Sequence, residues 1–280
     1  MLPVILSHFQ TQLFPRNREA PAGIIVSPDL GLTKIDATLG PEGLFLPNGE
    51  HLDWDAIDEI TGSENGCFAI QGGQPKKIQA FSATTNRPCS LMPTAGAPTM
   101  LMAGFTMHRI KDCDPYQDAL AKVQALAPIR GLVLDTATGL GYTAIEAARG
   151  AVHVHTIELD PGAQEIARQN PWSQALFNHP RITQHLGDSD ELVETFPEEM
   201  FDRIIHDPPV MSLAGQLYGA TFYGKLHRVL RAKGRLFHYV GNPENRSTMN
   251  VTRGVSDRLR TAGFSRVRPW PKAFGVVAEK

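Results

Sequence analysis

Four acidic residues, Asp135, Glu158, Asp188 and Asp207, each close a run of strand-forming residues in the second half of the chain. Carboxylates at such positions accept hydrogen bonds from hydroxyls and amines. The first stands at the head of Asp135-Thr-Ala-Thr138-Gly139-Leu-Gly141, a strand end, a tight turn and the start of a helix. Gly139 and Gly141 let the backbone pass close to a ligand where a Cβ would collide, and the helix that follows aims its free N–H groups at that ligand. Thr138 adds a hydroxyl to the same turn. Glu158 follows the glycines by about twenty residues, the spacing at which a carboxylate takes both hydroxyls of a ribose. Asp188 is placed to accept from an exocyclic amine such as that of adenine. For each of these a strand-ending turn acid is the plain alternative. The fourth acid lies in His206-Asp207-Pro208-Pro209, where two prolines fix the backbone and leave carbonyls free to hold an amine beside Asp207. Asp207 is the candidate proton acceptor there, with His206 second.

These residues work together only if the elements before them are strands of one sheet. From Leu132 onward strand and helix signals alternate: strands over Leu132–Asp135, Val152–Glu158, Ile182–Leu186, Phe201–His206 and Arg235–Val240, and helices after Pro161, over Phe222–Leu230 and near Gly254–Thr261. Such alternation predicts an α/β domain with a mainly parallel sheet, completed by a terminal pair at Arg266–Pro269 and Gly275–Ala278. A helix with Asp114 as N-cap, Pro115 at its first position and apolar residues at Leu120, Val123 and Leu126 leads into the glycine turn.

The first half reads differently. Residues 1 to about 20 show no strong periodicity, and short β runs follow at Gly23–Ser27, Leu32–Asp36, Gly43–Leu46 and His51–Trp54. Asp53–Glu59 carries four acids in seven residues and reads as a solvated helix start. Gly72–Thr99, rich in Gly, Pro, Ser and Thr, reads as a loop, and Thr99–Ile110 as a strand bent at Gly104. The expected organisation is a small β-rich domain over 1–110 and an α/β domain over 111–280.

Composition narrows the classes. A net charge of −2 and a 42% hydrophobic content over 280 residues describe a chain with a sizeable core and no global footprint for nucleic acid. The basic run Lys225–Arg235 reads as a solvated helix face. Three scattered cysteines suggest neither a disulfide framework nor a metal site. No run is long enough to span a bilayer, so a cytoplasmic protein is expected, with a small-molecule acceptor as its partner and a homodimer left open. The turn lacks the third glycine of Gly-x-Gly-x-x-Gly, and the anionic Asp135 would repel a pyrophosphate. A cationic, amino-bearing, phosphate-free nucleoside such as S-adenosylmethionine fits it better.

Asp135–Gly141, Glu158, Gly187-Asp188 and Asp207-Pro-Pro209 resemble motifs I to IV of class I S-adenosylmethionine-dependent methyltransferases. The segment from about Thr99 to Lys280 is similar, more narrowly, to the predicted archaeal-type methyltransferases related to spermidine synthase, through Met107-His108-Arg109, Asn170-Pro-Trp-Ser173, Ala214–Tyr218, Phe222-Tyr223 and Phe237-His238-Tyr239. The resemblance implies a Rossmann-like domain behind a small β domain, S-adenosylmethionine as cofactor, and methyl transfer to an unidentified acceptor, an amine being the candidate. Aminopropyl transfer from decarboxylated S-adenosylmethionine is the alternative, although the glycine run of aminopropyltransferases is missing here. A non-catalytic nucleoside-binding scaffold is the second. Pro208, Pro209, His108, Arg109, Tyr218 and His238 are expected to line the acceptor side, with surface or core roles as the plain readings of His108, Arg109 and His238. Val210 replaces the aromatic of Asp-Pro-Pro-aromatic motifs, which argues against a nucleobase acceptor.

Overall fold

The computed structural model describes residues 3–15, 20–242 and 246–280; Met1, Leu2 and residues 16–19 of the opening segment lie outside the described residues. Two compact units make up the chain, one of residues 1–116 and 162–174, the other of residues 117–161 and 175–280.

The second unit is built on a seven-stranded sheet. Its strands are β1 (Leu132–Asp135), β2 (His153–Glu158), β3 (Ile182–Leu186), β4 (Phe201–His206), β5 (Leu230–Tyr239), β6 (Ser265–Trp270) and β7 (Gly275–Glu279). They lie in the order β3-β2-β1-β4-β5-β7-β6. The pairs from β3 through β5 are parallel, while β7 runs antiparallel to both β5 and β6. The helices of this half of the chain are α1 (Pro115–Gln124), α2 (Tyr142–Ala147), α3 (Pro161–Gln169), α4 (Gln174–Asn178), α5 (Ser189–Thr195), α6 (Ala220–Val229) and α7 (Arg246–Thr261); α3 from Gly162 onward, with the first residues of α1 and α4, falls in the first unit. This is the α/β architecture the alternating signals predict.

The order reverses between β1 and β4, and a crevice opens at the carboxyl ends of strands where that happens. Register brings the right residues to it: Asp135 lies opposite Thr156 on one side and Ile205 on the other. Val133 and Leu134, like Ile204 and Ile205, are fully buried, as required of parallel strands covered on both faces. Leu134, Ile204, Leu236 and Val276 pack with Phe222, Leu226 and Val229 of α6 and Val255 and Leu259 of α7. Arg203 interrupts the apolar run of β4 for a reason. Its buried guanidinium donates to the carbonyls of Leu126 (2.9 Å) and Pro128 (3.0 Å), satisfying acceptors left open just beyond the end of α1.

The first unit contains three antiparallel sheets. Ala22–Val26, Ile35–Gly40, Gly43–Phe45 and His51–Leu52 form one, and Val4–Leu6, Phe68–Gln71 and Gln74–Lys77 another. Its core gathers Leu6, Leu39, Leu44, Leu52, Ile57, Ile60 and Ile70. The β-rich reading therefore holds, but two local readings do not. Gly72–Thr99 is not a loop: it contains the strands Gln74–Lys77, Gln79–Ser82 and Arg87–Met92. Gly72 and Gly73, both at positive φ, turn the chain between paired strands, while Ile78, Cys89 and Leu91 point inward. The turn-forming composition masked that alternation. Thr99–Ile110 is a hairpin rather than one bent strand, with Met102 paired to Phe105 and Ala103-Gly104 at positive φ between them. Residues 4–11 of the opening segment also carry structure, the strand Val4–Leu6 and the helix His8–Thr11. Asp53 takes the plain role, its Oδ1 accepting the N–H of Ala56 at 2.8 Å as a helix cap. No described helix is long and apolar enough to cross a membrane.

Candidate active site

The ends of β1, β2 and β4 bring three of the four acids onto one edge. Asp135 is fully buried. Its Oδ2 accepts hydrogen bonds from the hydroxyls of Thr143 and Thr156, both at 3.0 Å, and its Oδ1 is buried without a partner. Burial lifts its carboxyl from 3.8 to about 7; the two threonine hydroxyls and, less strongly, the N–H of Ala137 pull the other way, and the negative charge of Asp207 adds to the rise. A buried carboxylate with one empty oxygen is costly unless a donor arrives, so this geometry calls for a cationic or hydrogen-bonding group.

The turn after Asp135 is held from both sides. Thr138 bonds the hydroxyl of Thr156 at 2.6 Å and its N–H donates to the carbonyl of Ile157. Its two glycines serve different ends. Gly141 has φ +78°, and a Cβ there would sit 2.6 Å from Cδ2 of Leu176, so the close approach is to the protein's own α4. Gly139 has φ +52° with open space where its Cβ would be. Its N–H donates to Oε2 of Glu158 at 2.8 Å, tying the turn to the end of β2. The other oxygen of Glu158 accepts from the N–H of Asp160 at 3.0 Å. Burial raises this carboxyl to about 7 against those two N–H groups. Asp188 ends β3 as the N-cap of α5, its Oδ1 accepting the N–H of Asp190 at 2.8 Å. The turn-acid reading is thus realised for Asp188, whatever else it does.

Asp207 stands where β4 ends. Its Oδ2 lies 2.6 Å from Nζ of Lys122, and the same ammonium is 2.7 Å from Asp118. Burial raises the Asp207 carboxyl and Lys122 lowers it. The surroundings of Asp207 differ from the sequence reading at His206, Pro209, Tyr218 and His238. His206 is not a proton acceptor: it is fully buried, its Nε2–H donating to the carbonyl of Leu217 at 2.9 Å and its Nδ1 accepting from Thr136 at 2.7 Å. Burial drops its pKa to about 4, so it stays neutral and anchors the strand end. Pro209's carbonyl is not left free, because Tyr218 donates its hydroxyl to it at 3.0 Å; Tyr218, itself buried, braces the turn. Pro208 is buried and Pro209 half-buried. His238 is in the core, with Nε2 on the hydroxyl of Tyr223 at 2.8 Å and its ring 4.3 Å from that of His206. His108 and Arg109 belong to the first unit, where Nδ1 of His108 lies 3.0 Å from the hydroxyl of Thr99.

Sequence reasoning overlooked Thr143 and Thr156, which hold Asp135, and the pair Asp118 and Lys122. For the pair a signal existed. The buried stripe of α1 runs through Ala119 and Val123 and continues to Leu126 just past its end, with Leu120 only half-buried, and Asp118 and Lys122 fall on that stripe four residues apart. The basic run is not a solvated helix face: it crosses from α6 into β5, which carries Arg231, Lys233 and Arg235, and the half-buried Lys225 pairs with Asp190 and Glu194 of α5, each at 2.7 Å.

The family described as conserved hypothetical protein 95 matches residues 118–221, from α1 to the start of α6. Uncharacterized protein MJ1233 of Methanocaldococcus jannaschii is 42% identical over 237 residues, 84% of this chain and 80% of that one. Polyamine aminopropyltransferase 2 of Streptomyces coelicolor is 31% identical over 175 residues, which span 60% of this chain and 31% of that protein. A spermidine synthase solved with the transition-state analogue AdoDATO superposes with a TM-score of 0.56 at 18% identity, over 74% of this chain and 75% of its own. The fold is therefore shared with spermidine synthase.

Proposed function

This chain belongs to the same family as MJ1233 of Methanocaldococcus jannaschii, and we propose that it is a transferase using a sulfonium nucleoside of the S-adenosylmethionine type. The observation that carries the reading is the unpartnered, fully buried Oδ1 of Asp135 at the end of β1. An ammonium group on the nucleoside would satisfy it, whereas a pyrophosphate would be repelled. Glu158, already anchored to the glycine turn through Gly139, has lone pairs left for ribose hydroxyls. Open space at Gly139 gives the nucleoside room beside the turn.

When bound, such a nucleoside supplies an electrophilic carbon on a sulfur that departs as a neutral thioether. Asp207 serves as the base: the acceptor donates its N–H to the carboxylate and passes that proton to it as the new bond forms. Tyr218 and His206 keep the Asp-Pro-Pro turn in place, and most of the rate comes from this positioning. We favour methyl transfer, with an amine as acceptor, because the turn reads Asp-Thr-Ala-Thr-Gly-Leu-Gly. Aminopropyl transfer is the second reading, supported by the 31% identity to an aminopropyltransferase. A scaffold without turnover has less support, since 16% of the Asp207 side chain stays open beside the turn.

Calorimetry of the full chain with S-adenosylmethionine, its decarboxylated form and NAD tests the reading. Binding of either sulfonium compound is expected and NAD should not compete. Preference for the decarboxylated compound selects aminopropyl transfer, and preference for NAD or no binding at all defeats both readings.

A further inference from the structure

A lysine on the buried stripe of a helix is costly to fold around, and it persists only where carboxylates compensate its charge. Lys122 is 2% exposed and Asp118 is fully buried, yet Asp207, the third member, keeps 16% of its side chain open. The ammonium sits 2.7 Å from Asp118, 2.6 Å from Oδ2 of Asp207 and 4.5 Å above the ring of Tyr239. Its three sides are therefore taken up by one helix neighbour, one strand end and one aromatic face. Oδ1 of Asp207 accepts no hydrogen bond from the described residues, and it is not among the buried, unpartnered atoms. The trio is thus asymmetric: two members are sealed, and one oxygen of the third is available.

We propose that Lys122 is the positioning residue of the transfer, clamping Oδ2 of Asp207 and balancing it against Asp118 so that a single ionised oxygen, Oδ1, meets the acceptor. The proposal rests on the transferase reading for its purpose but not for its chemistry. A carboxylate held by one oxygen cannot rotate its pair of lone-pair sites, so the acceptor finds one direction of approach. Charge adds to geometry. Lys122 opposes the effect of burial on Asp207, while Asp118 reinforces it. The other groups with electrostatic bearing on Asp207 are Asp135 at the end of β1 and Tyr218 after the Asp-Pro-Pro turn, both of which feel its negative charge. Tyr239 of β5 touches the ammonium rather than the carboxylate. Among all of these, Lys122 alone favours the ionised form.

The test needs no acceptor. The full chain is labelled with 13C at its aspartate carboxyls, the Asp207 resonance is assigned by its loss in Asp207→Asn, and its titration is followed by NMR. Lys122→Met should raise the Asp207 midpoint by about one pH unit or more, and Asp118→Asn should lower it, the range expected for a charge at such distances. Loss of packing cannot move the midpoint in opposite directions in the two variants. An unmoved midpoint in Lys122→Met, or shifts of the same sign in both, overturns the proposal. Should Lys122→Met fail to fold, Asp118→Asn decides alone, and a midpoint that rises or stays put is the negative result. Binding of S-adenosylmethionine is measured separately, so its absence would strike the transferase reading and leave the titration standing.

Discussion

Asp135→Asn should make the ligand-free protein more stable at high pH and cost it the nucleoside. The native carboxyl titrates at about 7 where an exposed aspartate titrates at 3.8, so the folded state holds its proton more tightly than the unfolded one. Nothing is lost below pH 3.8, where both states are protonated. As pH rises from there toward 7 the unfolded chain ionises first and stability declines, reaching its full loss above 7. Each pH unit in that window costs about 1.4 kcal/mol, so the loss grows by about 3 kcal/mol between pH 5 and pH 8. Asparagine is the same size and cannot ionise. Its own packing and hydrogen bonds to Thr143 and Thr156 set an offset that does not depend on pH. Urea unfolding of both chains at pH 5 and pH 8 should therefore show the variant gaining about 3 kcal/mol on the wild type across the interval. Parallel curves would mean that Asp135 is ionised at ordinary pH in the folded protein, and the argument from its unpartnered oxygen would go with them. Calorimetry of the same variant should show S-adenosylmethionine weakened by tenfold or more, as for a lost charged hydrogen bond.

Gly141→Ala should destabilise the chain by about 2–4 kcal/mol, from the left-handed backbone and the collision with Leu176. Gly139→Ala, with nothing in the way of its Cβ, should cost only about 1–2 kcal/mol while reducing nucleoside affinity; urea midpoints in the reverse order would be inconsistent with the turn described. His206 titrates at about 4 in the folded state against 6.5 in a free chain, so stability is lost as pH falls from 6.5 toward 4, by about 3 kcal/mol in all. His206→Gln should be less stable at pH 7 but show a flatter acid limb by that amount. Unfolding curves that stay parallel from pH 7 to pH 4.5 would rule this out.

What could be read in the chain and what could not divide along physical lines. β1 is an apolar run closed by Asp135, while β2 and β4 mix polar residues with the buried Val154 and Ile157 and the buried Ile204 and Ile205, and in each case an acid follows the buried residues at a definite position. That is why the edge of Asp135, Glu158 and Asp207 was legible. The state of those acids was not, because it depends on neighbours brought in by pairing: Thr156 reaches Asp135 only through the register of β1 with β2. His206 looked reactive because imidazole usually titrates near neutrality, and its two hydrogen bonds to Thr136 and Leu217 are invisible in a linear reading. In the first unit, Gly72–Thr99 misled because turn-forming residues outnumber the few inward-facing ones, and short antiparallel strands need only Cys89 and Leu91 on the core side.

The reversal of strand order between β1 and β4 also fixes when the edge of Asp135 and Asp207 can exist. β1 is the first of the seven strands to be synthesised, but its neighbour on one side, β4, follows only after β2, β3 and the helices between them. Leu134 cannot pair with Ile204 until that stretch has emerged, and closing so long a loop is a late event in folding. Asp135 waits beside an incomplete sheet until then, and Lys122 waits for Asp207. A nucleoside that needs both strand ends can therefore bind only a chain whose sheet has closed, and its binding energy is added to the whole unit at once. Bound ligand in a stalled nascent chain should appear only when residues beyond His206 have cleared the ribosome.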